Sequence, residues 1–150
     1  EPQNLQFNLS HTEDITLLAI TKKHELGIDI ESMSRNADWK AISQRFFTQS
    51  EQRLLFSRPK SQQKIVFYQL WTRKEAYMKV LGSGLSLAPT EFSLTVPPQP
   101  AELIEHYSDN YKPTTEIVFK QIELADTFKS YCATLASTSA INDYSLYNYT

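Results

Sequence analysis

The chain has 150 residues, 41% of them hydrophobic and 21% charged, with a formal net charge of −2. This is the size and balance of one ordinary globular domain, and the slight acidity argues against nucleic-acid binding through bulk charge. Cys132 is the only cysteine, which excludes an internal disulfide, and no apolar run is long enough to span a membrane.

In chain order, Leu5, Phe7 and Leu9 alternate with Gln6, Asn8 and Ser10, the pattern of a half-buried strand. Residues 15–20 form a second, more apolar strand. The polar stretch 21–25 reads as a hairpin turn, and residues 26–31 return as a third strand. There Leu26, Ile28 and Ile30 share one face, and Gly27, Asp29 and Glu31 share the other. A helix is expected over 38–47 with Asp38 as its N-cap. Thr48-Gln49-Ser50-Glu51 spells a capping box for a short helix over 49–57, stopped by Pro59. From Ser61 to Leu81 there is neither Gly nor Pro, and Ile65, Tyr68, Trp71, Ala76 and Leu81 recur at roughly helical intervals, so one long helix is expected, ended by Gly82. Residues 90–96 alternate as a strand. Pro97-Pro98-Gln99-Pro100 breaks it and opens a variable stretch to about Thr115. Residues 116–124 and 129–136 read as a closing hairpin, with Cys132 as a small core residue. The tail after Ser137 is polar and rich in tyrosine. Antiparallel strands with inserted helices make the fold class α+β, an antiparallel sheet with packed helices.

Two strings carry the chemistry: Leu26-Gly27-Ile28-Asp29-Ile30-Glu31 and Trp71-Thr72-Arg73-Lys74-Glu75-Ala76-Tyr77-Met78-Lys79. Asp29 and Glu31 project to one side of a strand, where like charges repel unless neutralised. Glu75 and Lys79 share a helix face. Each pair alone reads more readily as solvated surface charge. Gly27 leaves its face bare, so backbone or ligand can approach. Taken jointly, three carboxylates form a hard-oxygen set suited to Mg²⁺ on a pyrophosphate, with lysines on the phosphates. No Cys/His cluster for zinc, no P-loop and no dinucleotide fingerprint occurs. Ser10-His11 alone is a loop pair with no nucleophile elbow beside it.

The ordered set Phe7-Asn8-Leu9-Ser10-His11-Thr12, Gly27-Ile28-Asp29-Ile30-Glu31, Arg45-Phe46-Phe47 and Trp71-x-x-Lys74-Glu75-Ala76-x-x-Lys79 resembles the 4′-phosphopantetheinyl transferases of the Sfp type. Gly84-Leu85-Ser86-Leu87 and Phe119-Lys120-Gln121 also match. The Ser-His pair precedes the Gly-Ile-Asp motif, which separates this type from the short, trimeric carrier-protein synthases. The resemblance implies one half of a pseudo-dimeric fold, the C-terminal half, with residues 1–136 as the half-domain and 137–150 as a loosely ordered tail. The chain begins at Glu1 rather than Met, so further N-terminal sequence is expected.

The same resemblance implies transfer of the 4′-phosphopantetheine arm of coenzyme A to a serine of an apo carrier protein, with release of adenosine 3′,5′-bisphosphate. Asp29, Glu31 and Glu75 would hold Mg²⁺ or Mn²⁺. Lys79 and Lys74 would neutralise phosphate oxygens, and Ser10 and His11 would contact the nucleotide end. Glu75, directly or through a water, would take the serine proton, with Glu51 as a second candidate. Catalytic weight thus falls on Glu75 and Lys79. Coenzyme A and an acyl or peptidyl carrier protein would be the partners, with a missing N-terminal half or a homodimer mate, no nucleic acid, no membrane, and a cytoplasmic location. The alternatives are a fragment that binds coenzyme A or carrier without turnover, and another Mg²⁺-dependent pyrophosphate-cleaving enzyme. Arg35, Lys40, Arg45, Phe46, Phe47 and Arg53 form the expected carrier-docking segment, against a purely core role for the two phenylalanines.

Overall fold

The computed structural model describes residues 4–147. Of the expected tail, residues 148–150 lie outside the described residues, as do residues 1–3 of the half-domain. Strands β1 (Gln6–Thr12) and β2 (Ile15–Thr21) pair as an antiparallel hairpin. Strand β3 (Leu26–Ser32) is followed by helices α1 (Trp39–Phe46), α2 (Gln49–Phe56) and α3 (Lys60–Val80). Two short strands, β4 (Phe92–Leu94) and β5 (Leu103–His106), pair with each other. Strands β6 (Val118–Gln121) and β7 (Tyr131–Ser137) form the closing hairpin, and the main sheet runs in the order β3-β7-β6, all antiparallel. The class is α+β. Among the described residues no helix is long and apolar enough to cross a membrane.

The helix ends follow their local sequence. Asp38 accepts the amide of Ala41 at 3.1 Å. Thr48 and Glu51 exchange both capping-box bonds, at 3.3 and 2.8 Å, and start α2. At the end of α3, Gly82 takes the left-handed conformation at φ 64°. Its amide donates to Lys79, and that of Ser83 reaches back to Met78, a Schellman closure.

Strand pairing departs from the hairpin expected at residues 21–25. β2 and β3 are in different sheets, and β3 pairs along its whole length with β7, from Leu26 opposite Ser137 to Ser32 opposite Tyr131. The outer edge of β3 is then left without a backbone partner, and β1 supplies side chains instead. Ile28 donates its amide to Asn8 Oδ1 at 2.8 Å, and Ile30 donates to Ser10 Oγ at 3.2 Å. The face of β1 turned to β3 is therefore its polar one. Its polar residues Ser10 and Thr12 are buried, while Leu5, Phe7 and Leu9 are exposed beside Leu18 and Ile20 of β2. The register sets Phe7 opposite Ile20 and Leu9 opposite Leu18, so these residues form one continuous apolar face.

α3 lies across β3 and β7. One core, containing Phe47, Leu55, Phe67, Leu70, Tyr77, Phe92 and Leu94, surrounds the helix. A second, with Ile28, Ile30, Ile122 and Ala133, fills the other side of the main sheet and packs against Ile15, Leu17 and Ala19 of β2. Residues 140–147 have no helix or strand, but Tyr144 joins this second core and its hydroxyl accepts the Glu123 amide. The strand β5, within the stretch expected to be variable, pairs with β4.

Gly27 is where β3 and α3 touch. A Cβ built there would stand 2.3 Å from the Ala76 carbonyl oxygen and 2.5 Å from the Val80 amide nitrogen. The bare face therefore serves backbone approach. Both obstacles are backbone, so they yield only if the helix moves. Gly27→Ala is expected to destabilise the fold by about 2–3 kcal/mol, the upper range for overpacking. Urea unfolding checks this, and a loss under 0.5 kcal/mol would contradict the close approach.

Candidate active site

Because Gly27 lets the helix in, the next residues on its side of β3 meet the middle of α3. Lys79, one turn after Glu75, bonds Asp29 Oδ1 at 2.9 Å and the Ile28 carbonyl at 2.8 Å. Ser10 donates to the same Asp29 oxygen at 3.2 Å. Asp29 is only 5% exposed, and its other oxygen, Oδ2, is buried with no partner. An unpaired carboxylate oxygen in such a place is costly unless something outside the chain completes it. Glu31, further out, pairs with Arg35 at 3.7 Å.

The electrostatics tie the carboxylates together. Burial pushes Asp29 above its ordinary value, opposed by Lys79 and Ser10. Glu31 is raised by burial and then by the Asp29 charge. Glu75 is pushed up to about 7, first by burial and then by Asp29, with Glu31 adding and Lys79 opposing. The Asp29 charge raises both Glu31 and Glu75, and Glu31 adds to Glu75, so the three acids occupy one neighbourhood. They are not drawn into a cage: among the described residues no three or more His, Cys, Asp or Glu side chains stand close enough together to hold an ion. The donors available are all hard oxygens, the chemistry of a site for Mg²⁺ or Mn²⁺ rather than a softer metal.

Three of the residues expected at this site are used otherwise. Lys74 is wholly buried and donates to both oxygens of Glu51, at 2.8 and 2.9 Å, and to the Phe92 carbonyl at 2.9 Å. Its ammonium is fully occupied and does not face the carboxylates. Burial pulls it down to about 8, with Glu51 pulling the other way. Glu51, 1% exposed, is held by Lys74, the Thr48 amide and the Leu94 amide, which leaves it no role as a base. Ser10 is spent on Asp29 and the Ile30 amide. His11 is exposed on the opposite face of β1, beside Leu9 and across from Thr16. Asn8, which holds the edge of β3, was not singled out as a functional residue. Its alternation with Ser10 is the only sequence signal of that role.

Phe47 is buried against Phe67 and Trp71, while Phe46, half-buried, packs on Trp71 and beneath the Arg45 guanidinium. Arg35, Lys40, Arg45 and Arg53 are exposed. Cys132 is buried and its thiol is pushed up to about 12, so it is inert. A cavity of about 670 Å³ lies elsewhere, between β2 and the tail, over Ile28, Ile122 and Leu135.

Fold and site together define a class: an α+β fold that sets strand carboxylates against a helix carrying a further carboxylate and a lysine. The family model for the 4′-phosphopantetheinyl transferase superfamily matches residues 25–136. The chain belongs to that superfamily. It is 40% identical over 100 residues to the 4′-phosphopantetheinyl transferase HetI of Nostoc sp., covering 66% of this chain and 42% of that protein. The chain spans about half the length of the curated relatives it matches. Its fold is similar to that of Thermotoga maritima holo-[acyl-carrier-protein] synthase, with a TM-score of 0.59 and 20% identity over 77% of this chain and 63% of that one. It is also similar to Helicobacter pylori holo-[acyl-carrier-protein] synthase in complex with coenzyme A, with a TM-score of 0.50 and 18% identity over 74% of this chain and 96% of that one.

Proposed function

We propose that this chain is the metal-holding half of an enzyme that moves the 4′-phosphopantetheine arm of coenzyme A onto a serine of an apo acyl or peptidyl carrier protein. The observation that carries this reading is the family match over 25–136, which spans Asp29, Glu31, Glu75 and Lys79. The unpartnered Asp29 oxygen supports it. Asp29, Glu31 and Glu75 would hold Mg²⁺, which when bound neutralises charge on a pyrophosphate.

Around it, the chain's own residues divide the work. Lys79 leaves Asp29 Oδ1 for a phosphate oxygen, and its partial exposure supports that exchange. Glu75 is placed beside Asp29 and Glu31 to take the proton of the carrier serine, directly or through a water. The serine oxygen forms its bond to the phosphorus of the phosphopantetheine arm. The bond from that phosphorus to the bridging oxygen breaks, and adenosine 3′,5′-bisphosphate leaves with the electron pair. His11 lies on the exposed face of the hairpin, so a nucleotide that reaches it lies over that face. The same apolar face, with Phe7, Leu9, Leu18 and Ile20, is the surface we assign to a second lobe, in keeping with the half-length match. Arg35, Lys40, Arg45 and Arg53, all exposed, would meet an acidic carrier. A cytoplasmic location accompanies this reading.

The test is mass spectrometry of an apo carrier protein incubated with the chain, coenzyme A and Mg²⁺. The expected result is a gain of one phosphopantetheine arm. The half-length match also favours a second reading, a module that binds without turnover. Metal-dependent coenzyme A binding by calorimetry, with no mass gain, would select it and reject transfer by this chain.

A further inference from the structure

Ser10 belongs to a ladder of side chains that replaces a missing strand. β1 runs beside the free edge of β3 without sharing its sheet. Asn8 takes the Ile28 amide and Ser10 takes the Ile30 amide. The two residues have matching roles on one face of β1, with one difference. Having accepted from Ile30, Ser10 gives its only proton to Asp29 Oδ1. Lys79 holds the same oxygen. The carboxylate is therefore gripped by one oxygen, and the other is buried without a partner.

We propose that Ser10 is a positioning residue: its hydroxyl fixes the Asp29 carboxylate through Oδ1 so that Oδ2 is presented to the cation, and it makes no contact with the nucleotide. The proposal rests on the reading of Asp29 as a cation-holding group. A phosphate oxygen needs a donor, and the one hydroxyl proton of Ser10 is already on Asp29. The residue is also only 6% exposed, which leaves a phosphate little room to approach. Partners that orient a ligating carboxylate commonly set metal affinity by about 10–100-fold.

The experiment uses the full chain and two readouts. Mn²⁺ affinity is followed by the electron paramagnetic resonance of the free ion in the presence of coenzyme A. Coenzyme A affinity is measured by calorimetry in EDTA. Ser10→Ala is expected to weaken Mn²⁺ by about tenfold and leave metal-free coenzyme A binding unchanged. Asn8→Ala loses an equivalent ladder bond without touching Asp29, so its Mn²⁺ affinity should stay within about twofold of the parent. Ser10→Cys, nearly isosteric and a weak donor, gives the same comparison if the alanine variant does not fold.

Unchanged Mn²⁺ affinity in Ser10→Ala would overturn the proposal. So would weakened coenzyme A binding in EDTA, which would make Ser10 a nucleotide contact, or an equal Mn²⁺ loss in Asn8→Ala, which would make the ladder merely structural. Asp29→Asn separates this from the broader reading. If it binds Mn²⁺ as the parent does, or if neither binds, Asp29 is not a cation ligand and both readings fall.

Discussion

Glu75→Gln is expected to slow transfer by about 10²–10⁴-fold, the range associated with a positioned general base. Glutamine keeps the shape of the side chain and its packing against α3's neighbours, but it neither takes a proton nor offers a charged oxygen to a divalent cation. The substitution also has a signature that needs no substrate. Glu75 is raised to about 7 in the fold, chiefly by burial and then by Asp29. The folded chain therefore holds this proton more tightly than the unfolded chain does. The resulting stabilisation is fully present below the ordinary value of 4.5 and is lost as pH rises through about 7. Asp29 and Glu31 are raised too, so their contributions run in the same direction. The metal-free parent should thus lose stability between about pH 5 and 8, and Glu75→Gln should lose less of it. Urea midpoints across that range read the second effect, and mass gain of the carrier reads the first. Turnover within threefold of the parent would remove Glu75 from both its proposed roles.

What the sequence revealed and what it hid divide along local and distant causes. Asp38, the Thr48–Glu51 box and Gly82 act within one turn of chain, and each does in the structure what its type and spacing imply. The pairing of β3 is not local. Its partner β7 begins about a hundred residues later, and only that pairing leaves the far edge of β3 in need of Asn8 and Ser10. Alternation in β1 gives two faces without saying which is buried. Within this chain the polar face is the buried one, because it has amides to satisfy. Lys74 turns to Glu51 for a reason local to the helix. Adjacent helical residues do not share a face, so Lys74 was poorly placed to act beside Glu75, whereas Lys79, one turn on, was well placed. Asp29 and Lys79, 50 residues apart, are brought to 2.9 Å by tertiary packing that no sequence spacing states.

Glu51→Ala is expected to destabilise the fold by about 3–5 kcal/mol, the cost of leaving a buried charge without its partner. The Lys74–Glu51 pair is 0% and 1% exposed, and its geometry is complete. Lys74 places its donors on both carboxylate oxygens and on the Phe92 carbonyl, while Glu51 also takes the Thr48 and Leu94 amides. One carboxylate thus joins the start of α2, the middle of α3 and the strand β4. Alanine strands the ammonium and two backbone amides together. Burial disfavours the ammonium and Glu51 opposes that, so alanine removes the group that sustains the buried charge. Glu51→Gln with Lys74→Met removes both charges, keeps an acceptor for one of the two amides and fills the same space. It should recover more than half of the loss, since well-packed neutral replacements of buried pairs are often tolerated. Because Lys74 never reaches the carboxylate site, this double variant should also keep the parent's affinity for coenzyme A. Urea unfolding and calorimetry decide the matter. A single alanine variant within 1 kcal/mol of the parent would mean that water reaches the pair. A stable double variant that has lost coenzyme A binding would return Lys74 to the phosphate site.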